Sequence, residues 1–260
     1  MAKYDEIISA IFTERYTVGA SSIPFEREVL AAKAQDLGFE LPKNLGDIVY
    51  SYKYRKPLPE DITATAPSGF NWRIKNVGIG QYEFSLTPGA EFVEPDTMLA
   101  TTKIPDGTPS IVSKYSISDE QALLAIVRYN RLIDIFLGIT CYSLQNHLRT
   151  TVKGIGQIET DEIYVGVDKS GRQYIVPVQA KGGTDKLGIS QIEQDLALCA
   201  EKYPDLICKS IACQFISRDT VAMFEFAIED DRIVKVNERH YKLVDAASIS
   251  SDDLQAYNTR

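Results

Sequence analysis

Residues 161–181, DEIYVGVDKSGRQYIVPVQAK, constrain the chain more tightly than any other stretch. Two strand-forming runs, EIYVGVD and QYIVPVQAK, flank a short polar turn, and this order predicts a β-hairpin. A three-residue loop, Lys169-Ser170-Gly171, puts Gly171 in the left-handed position that a type I turn with a G1 bulge requires. That loop pairs Asp168 with Arg172. Stepping back along both strands then pairs Asp161 with Gln179 and Glu159 with Lys181. A two-residue loop would slip the register by one and set Glu162 opposite Gln179, so loop length decides between Asp161 and Glu162. Side chains alternate along a strand, which places Gln179 and Lys181 on one face and Val178 and Ala180 on the other. An amide and an ammonium at the end of an apolar strand are either a solvated tip or the working end of a site.

The surrounding pattern predicts an α/β protein, with a mixed sheet flanked by helices and a helical region in front of it. KYDEIISAIFTERY places Ile7, Ile8, Ile11 and Phe12 on one side of a first helix. PFEREVLAAKAQDLG reads as a second helix with Pro24 near its start and Gly38 at its stop, and NLGDIVYSYKYR as a third that ends before Pro57. FNWRIKNVG and QYEFSLTPG follow as strands. Three helices and a hairpin match the order of a winged helix-turn-helix, whose third helix enters a DNA groove. The stretch 96–117 is rich in Pro, Thr, Gly and Asp and is expected to connect a recognition region, 1–95, to a second domain, 118–260. In that domain Ser118 and Gln121 suggest a capping box, DEQALLAIVRYNRLIDIFLG one long helix stopped at Gly138, and TCYSLQNHLRTTV another helix. After the hairpin come a helix, ISQIEQDLALCAEKY, and two strands, SIACQFIS and VAMFEFAIE.

Composition limits the partners. The 260 residues carry a net charge of −8 and a pI near 5.0, which argues against a general polyanion binder. Local basic stretches remain. SLQNHLRTTVKGIGQ contains Arg149 and Lys153 with no acid, and YSYKYRKPLP interleaves Lys53, Arg55 and Lys56 with tyrosines, so these five cations are the candidates for phosphate contact. No run of 18 apolar residues exists and the first residues alternate charge with apolar groups, so neither a membrane span nor a secretory leader is expected. Cys141, Cys199, Cys208 and Cys213 follow no zinc spacing and read as reduced thiols of a cytoplasmic protein. The GIGQ repeats at 78–81 and 154–157 lack phosphate-loop spacing.

An acid, an amide and a lysine converging at a hairpin end suit phosphodiester hydrolysis. A carboxylate and a side-chain carbonyl are hard oxygen ligands for Mg²⁺, which keeps waters and a substrate phosphate in its remaining positions. Lys181 can position the attacking water and offset charge on the phosphate. The ordinary alternative is a surface hairpin with Lys181 bridged to Glu159 or Asp161. Here TDEIYVGVD followed by YIVPVQAKGG resembles the signature of PD-(D/E)XK nucleases, over about residues 140–216. Asp161 falls at the motif's Asp, Gln179 at its Glu and Lys181 at its Lys, and the helix holding Gln191 and Glu193 is similar to the one that follows in that core. The resemblance implies a restriction-endonuclease-like fold in a prokaryotic, cytoplasmic protein: a Mg²⁺-dependent, sequence-specific endonuclease acting on double-stranded DNA. Because two strands must be cut, it also implies a homodimer. It implies metal binding by Asp161, by Gln179 and by the Ala180 carbonyl, with Glu159 and Glu162 in reserve. Two departures stand out: no Pro precedes Asp161, and a neutral Gln179 replaces the acid. Two other functions fit the same residues, a winged-helix regulator with an inactive nuclease-like domain and a repair or junction nuclease. Gly182 and Gly183 leave room for DNA or the next helix to approach Lys181.

Overall fold

In the computed structural model, residues 3–40, 45–54, 56–89, 91–115, 120–182, 186–229 and 232–258 are described. The chain divides into two compact units. The first comprises residues 1–93, 150–158 and 188–194, and the second 94–149, 159–187 and 195–260. Among the described residues no helix is long and apolar enough to cross a membrane.

The first unit runs α1 (Lys3–Arg15), β1 (Ser22–Glu26), α2 (Arg27–Asp36), α3 (Gly46–Tyr54), a short α4 (Glu60–Thr63), β2 (Phe70–Gly78), β3 (Gln81–Pro88) and a two-residue β4 (Phe92–Val93). Its core contains the expected stripe Ile7, Ile8, Ile11 and Phe12, with Trp72 and Phe84 edge-on to Phe12 at 5.1 and 5.2 Å. β1 departs from the expected order. Pro24 lies in it instead of at the start of α2, and the strand adds to the antiparallel sheet in the order β1-β3-β2. As the outer strand of that sheet, β1 tolerates a residue with no N–H to donate.

The second unit begins with β5 (Thr101–Pro105), in the stretch expected as a connection; it pairs in parallel with β13. α5 (Ser110–Tyr115), α6 (Glu120–Tyr129) and α7 (Leu132–Leu137) follow. The single long helix expected here breaks at Arg131, whose φ of 51° is left-handed, and the second piece stops at Gly138 as expected, with φ 66°. Ser118 and its capping box lie outside the described residues.

The chain continues with β6 (Thr140–Val152), β7 (Gly156–Val167), β8 (Gln173–Lys181), β9 (Leu187–Gly188), α8 (Ile189–Lys202), β10 (Ile207–Cys208), β11 (Ser210–Ser217), β12 (Thr220–Glu229), β13 (Arg232–Val244) and α9 (Ser251–Asn258). TCYSLQNHLRTTV is therefore a strand and not a helix. It is the outermost strand of an eight-stranded mixed sheet whose main path runs β5-β13-β12-β11-β8-β7-β6. Residues 142–147 are exposed on both faces, which removes the apolar alternation that would have marked them.

The β7–β8 hairpin has the three-residue loop. Asp168 N–H donates to the Arg172 carbonyl at 3.1 Å, Gly171 has φ 80°, and Glu162 faces Val178 across the ladder. On its other edge β8 pairs in parallel with β10 and then β11, and this partner is interrupted opposite Pro177, which has no N–H to offer. Tyr174, Val176, Val178 and Ala180 pack into the core against α6 and α7. The opposite face of β8, with Gln179, is turned to α8.

Candidate active site

The candidate residues gather where β7 and β8 end. The register makes Asp161 the acid across from Gln179. The ladder runs to Glu162, and beyond it the Asp161 carboxylate takes over, its Oδ2 accepting the Ala180 N–H at 2.8 Å. Burial pushes the Asp161 carboxyl above the ordinary carboxylate range. The Ala180 hydrogen bond and the Lys181 charge oppose that rise, Glu120 adds to it and His147 opposes it.

Lys181 is 8 % exposed at the last position of β8. Its ammonium donates to Glu120 Oε1 at 2.7 Å, so the first residue of α6 meets the last residue of β8 across 61 positions of sequence. Glu120 is not among the expected site residues. The Ser118–Gln121 stretch suggests a helix start, which accounts for an acid there, but nothing in the sequence connects it to Lys181.

Gln179 departs from expectation. Its nitrogen and the Lys181 ammonium engage different helices: Gln179 Nε2 donates to Asp195 Oδ1 and Oδ2 at 3.1 and 3.0 Å, and to the Glu159 carbonyl at 3.3 Å. Asp195 lies on α8, fully buried, and also accepts from Thr160 Oγ1 at 2.6 Å. Burial pushes its carboxyl up to about 7; the Thr160 and Gln179 hydrogen bonds pull against this and the nearby Asp161 charge adds to it. Asp195 is a second residue absent from the expected site, although the sequence carries a signal for it. Ile192, Asp195, Leu198 and Cys199 share the buried stripe of α8, and an acid on an apolar stripe needs a partner.

The reserve acids are engaged elsewhere. Glu162 is fully buried beneath Arg128, whose Nε and Nη2 reach its Oε1 at 3.1 and 2.9 Å, and it accepts from Ser143 Oγ at 2.6 Å. It points away from Asp161, as alternation along β7 requires. The Glu159 carboxylate pairs with Arg149 at 3.1 Å and stands 3.7 Å from His147 Nδ1. Arg149, expected on phosphate, therefore already has a counter-charge.

The other basic candidates lie in the first unit. Lys56 pairs with Asp5 at 2.6 Å and stacks over Tyr52, with its nitrogen 4.3 Å from the ring centre. Lys53 is half-buried, and its amine is lowered to about 8 by burial, against the pull of Glu193. Lys153 is exposed beside Gly154 in the β6–β7 turn. Arg55 and Gly183 lie outside the described residues.

Among the described residues no group of three His, Cys, Asp or Glu side chains stands ready to hold a metal ion. Mg²⁺ asks for less: one or two carboxylates suffice, the remaining positions being filled by water and substrate oxygens. Asp161 and Glu120 are the two acids that could serve: the Glu120 charge raises the proton affinity of Asp161, and a cation between them would relieve that repulsion. Comparison with protein-family models, with curated proteins and with solved structures finds no match.

Proposed function

We propose that this chain is a Mg²⁺-dependent endonuclease of the restriction type, hydrolysing phosphodiester bonds of double-stranded DNA at the end of the β7–β8 hairpin. One observation carries the reading. The hairpin register puts Asp161 against the Ala180 N–H, beside a lysine that is buried and held by a second acid, Glu120. A surface hairpin has no need of a buried lysine, and its cost is sustained where the charge has work to do.

Asp161 and Glu120, with the Ala180 carbonyl and the Gln179 side-chain oxygen, would hold the cation. When bound, Mg²⁺ supplies Lewis-acid activation of a phosphoryl oxygen and of a coordinated water. Lys181 orients the attacking water and offsets the negative charge that grows on the phosphate. Glu120 keeps the ammonium in place through its 2.7 Å contact. Gln179 stands where a carboxylate is usual in the nucleases that the signature resembles, and a neutral group holds a cation less tightly than an acid.

The first unit supports the DNA partner. Its order α1-β1-α2-α3-α4-β2-β3, with β1 added beside β3, is compatible with a winged helix-turn-helix in which α3 reads a groove and the β2–β3 turn forms the wing. Ile79 at that turn is fully exposed. Cutting both strands calls for two copies of the site and hence a homodimer, in the cytoplasm of a prokaryote.

Incubation of the protein with long duplex DNA and Mg²⁺ tests the reading. Discrete fragments are expected. Smearing or branch-dependent cutting would favour a repair nuclease, and intact DNA with sequence-specific retention would favour a regulator.

A further inference from the structure

The surroundings of Gln179 account for the missing acid. The side chain is 1 % exposed, and its nitrogen is spent on the Asp195 carboxylate and the Glu159 carbonyl. Asp195 is itself fully buried and held by Thr160. An ionised carboxylate accepts hydrogen bonds and donates none, so it calls for a donor at position 179. It also dictates which way the amide turns: nitrogen to α8, oxygen to the opposite side. A glutamate at 179 would set two buried carboxylates about 3 Å apart, an arrangement that drives one of them to stay protonated.

We propose that Asp195 is a positioning residue of the candidate site: its carboxylate fixes the Gln179 amide with the oxygen turned away from α8, and so makes Gln, not Glu, the residue that this position requires. In its consequence for a cation the proposal rests on the Mg²⁺ reading above. The acid that the resembled signature carries on the strand has its counterpart on the helix, and the two positions act as one carboxylate–amide pair. Asp195→Asn breaks the logic. Asn donates as well as accepts, so the Gln179 amide can turn over and present N–H groups, which repel a cation.

The test uses four full-length proteins: wild type, Asp195→Asn, Gln179→Glu and the double variant Gln179→Glu/Asp195→Asn. Mg²⁺ binding is measured by calorimetry, and melting temperature separately, at pH 8. Asp195→Asn is expected to melt close to wild type while binding Mg²⁺ about 10- to 100-fold more weakly, the usual effect of losing a group that orients a ligand. Gln179→Glu is expected to melt several degrees lower. The double variant is expected to recover part of the lost melting temperature, the Glu159 carbonyl still lacking its donor, and to bind Mg²⁺ at least as tightly as wild type, because the amide introduced by Asp195→Asn can donate to the new carboxylate. Unchanged Mg²⁺ affinity in Asp195→Asn, or a double variant no better than Gln179→Glu, would overturn the proposal. If wild type takes up no Mg²⁺, the metal reading fails and the melting temperatures alone decide the pairing. Rescue of Gln179→Glu by Asp195→Asn then supports it, and equal losses in the single and double variants refute it.

Discussion

Thr160→Val removes one of the two side-chain donors that hold Asp195 and leaves the shape of the residue nearly unchanged. Both residues are fully buried, and the contact between them is 2.6 Å. The cost depends on whether Asp195 is ionised. Its folded-state value, about 7, is raised above the ordinary 3.8, so the native chain binds this proton more tightly than the unfolded chain. The contribution of Asp195 to stability is therefore greatest below about pH 4 and declines as pH rises through about 7. At pH 5 the variant loses a hydrogen bond between neutral groups, about 0.5–1.5 kcal/mol; at pH 8 it loses one to a carboxylate, about 1.5–3 kcal/mol. Urea unfolding followed by circular dichroism at the two pH values measures the difference. The loss should be about 1 kcal/mol or more larger at pH 8, equivalent to roughly 2–4 °C per kcal/mol in melting temperature for a chain of this size. Equal losses at both pH values would refute the assignment of Asp195 as a buried, titrating acceptor of the Thr160 hydroxyl.

Other substitutions probe the frame around the site. Gly166→Ala should cost about 1–3 kcal/mol in urea unfolding, because the new methyl would stand 2.9 Å from Ile139 Cγ2 and 3.0 Å from Cys141 Sγ, forcing β6 from β7. Arg128→Ala leaves the fully buried Glu162 with Ser143 but without its cation, and should destabilise the fold by about 2–3 kcal/mol, since Arg128 is partly solvated. Glu120→Ala should leave the melting temperature within a few degrees, because its carboxylate is one-third exposed, yet slow cleavage about 10- to 100-fold or more, by releasing Lys181 and removing one of the two acids proposed for the cation.

The parts of the fold that are legible in the sequence are those where local chemistry speaks for itself. Gly171 announces its own turn, and the turn carries the register that chooses Asp161 over Glu162. β8 is apolar on both faces, so its limits follow from composition. β6 reads as a helix because residues 142–147 are exposed on both sides and show no alternation, and Gly166 reveals its packing only once β6 is known to cross there. β13 escapes a sequence reading because Arg232, Lys235, Glu238, Arg239 and Lys242 break up its apolar residues, and only its C-terminal half, with Tyr241 and Leu243, reaches the core. The site is half legible. Asp161, Gln179 and Lys181 lie on one hairpin, whereas Glu120 and Asp195 arrive from helices whose approach depends on tertiary packing. Basic composition is a poor guide to free cations, since Lys56 and Arg149 each sit on an acid that is distant in sequence or on a neighbouring strand.

Cleavage of duplex DNA by wild type, Lys181→Ala and Asp161→Ala, with DNA retention measured alongside, decides whether Lys181 and Asp161 act on a phosphodiester. Mg²⁺-dependent fragments are expected from wild type only, with all three proteins retaining DNA alike. Full cleavage by either variant would contradict that role.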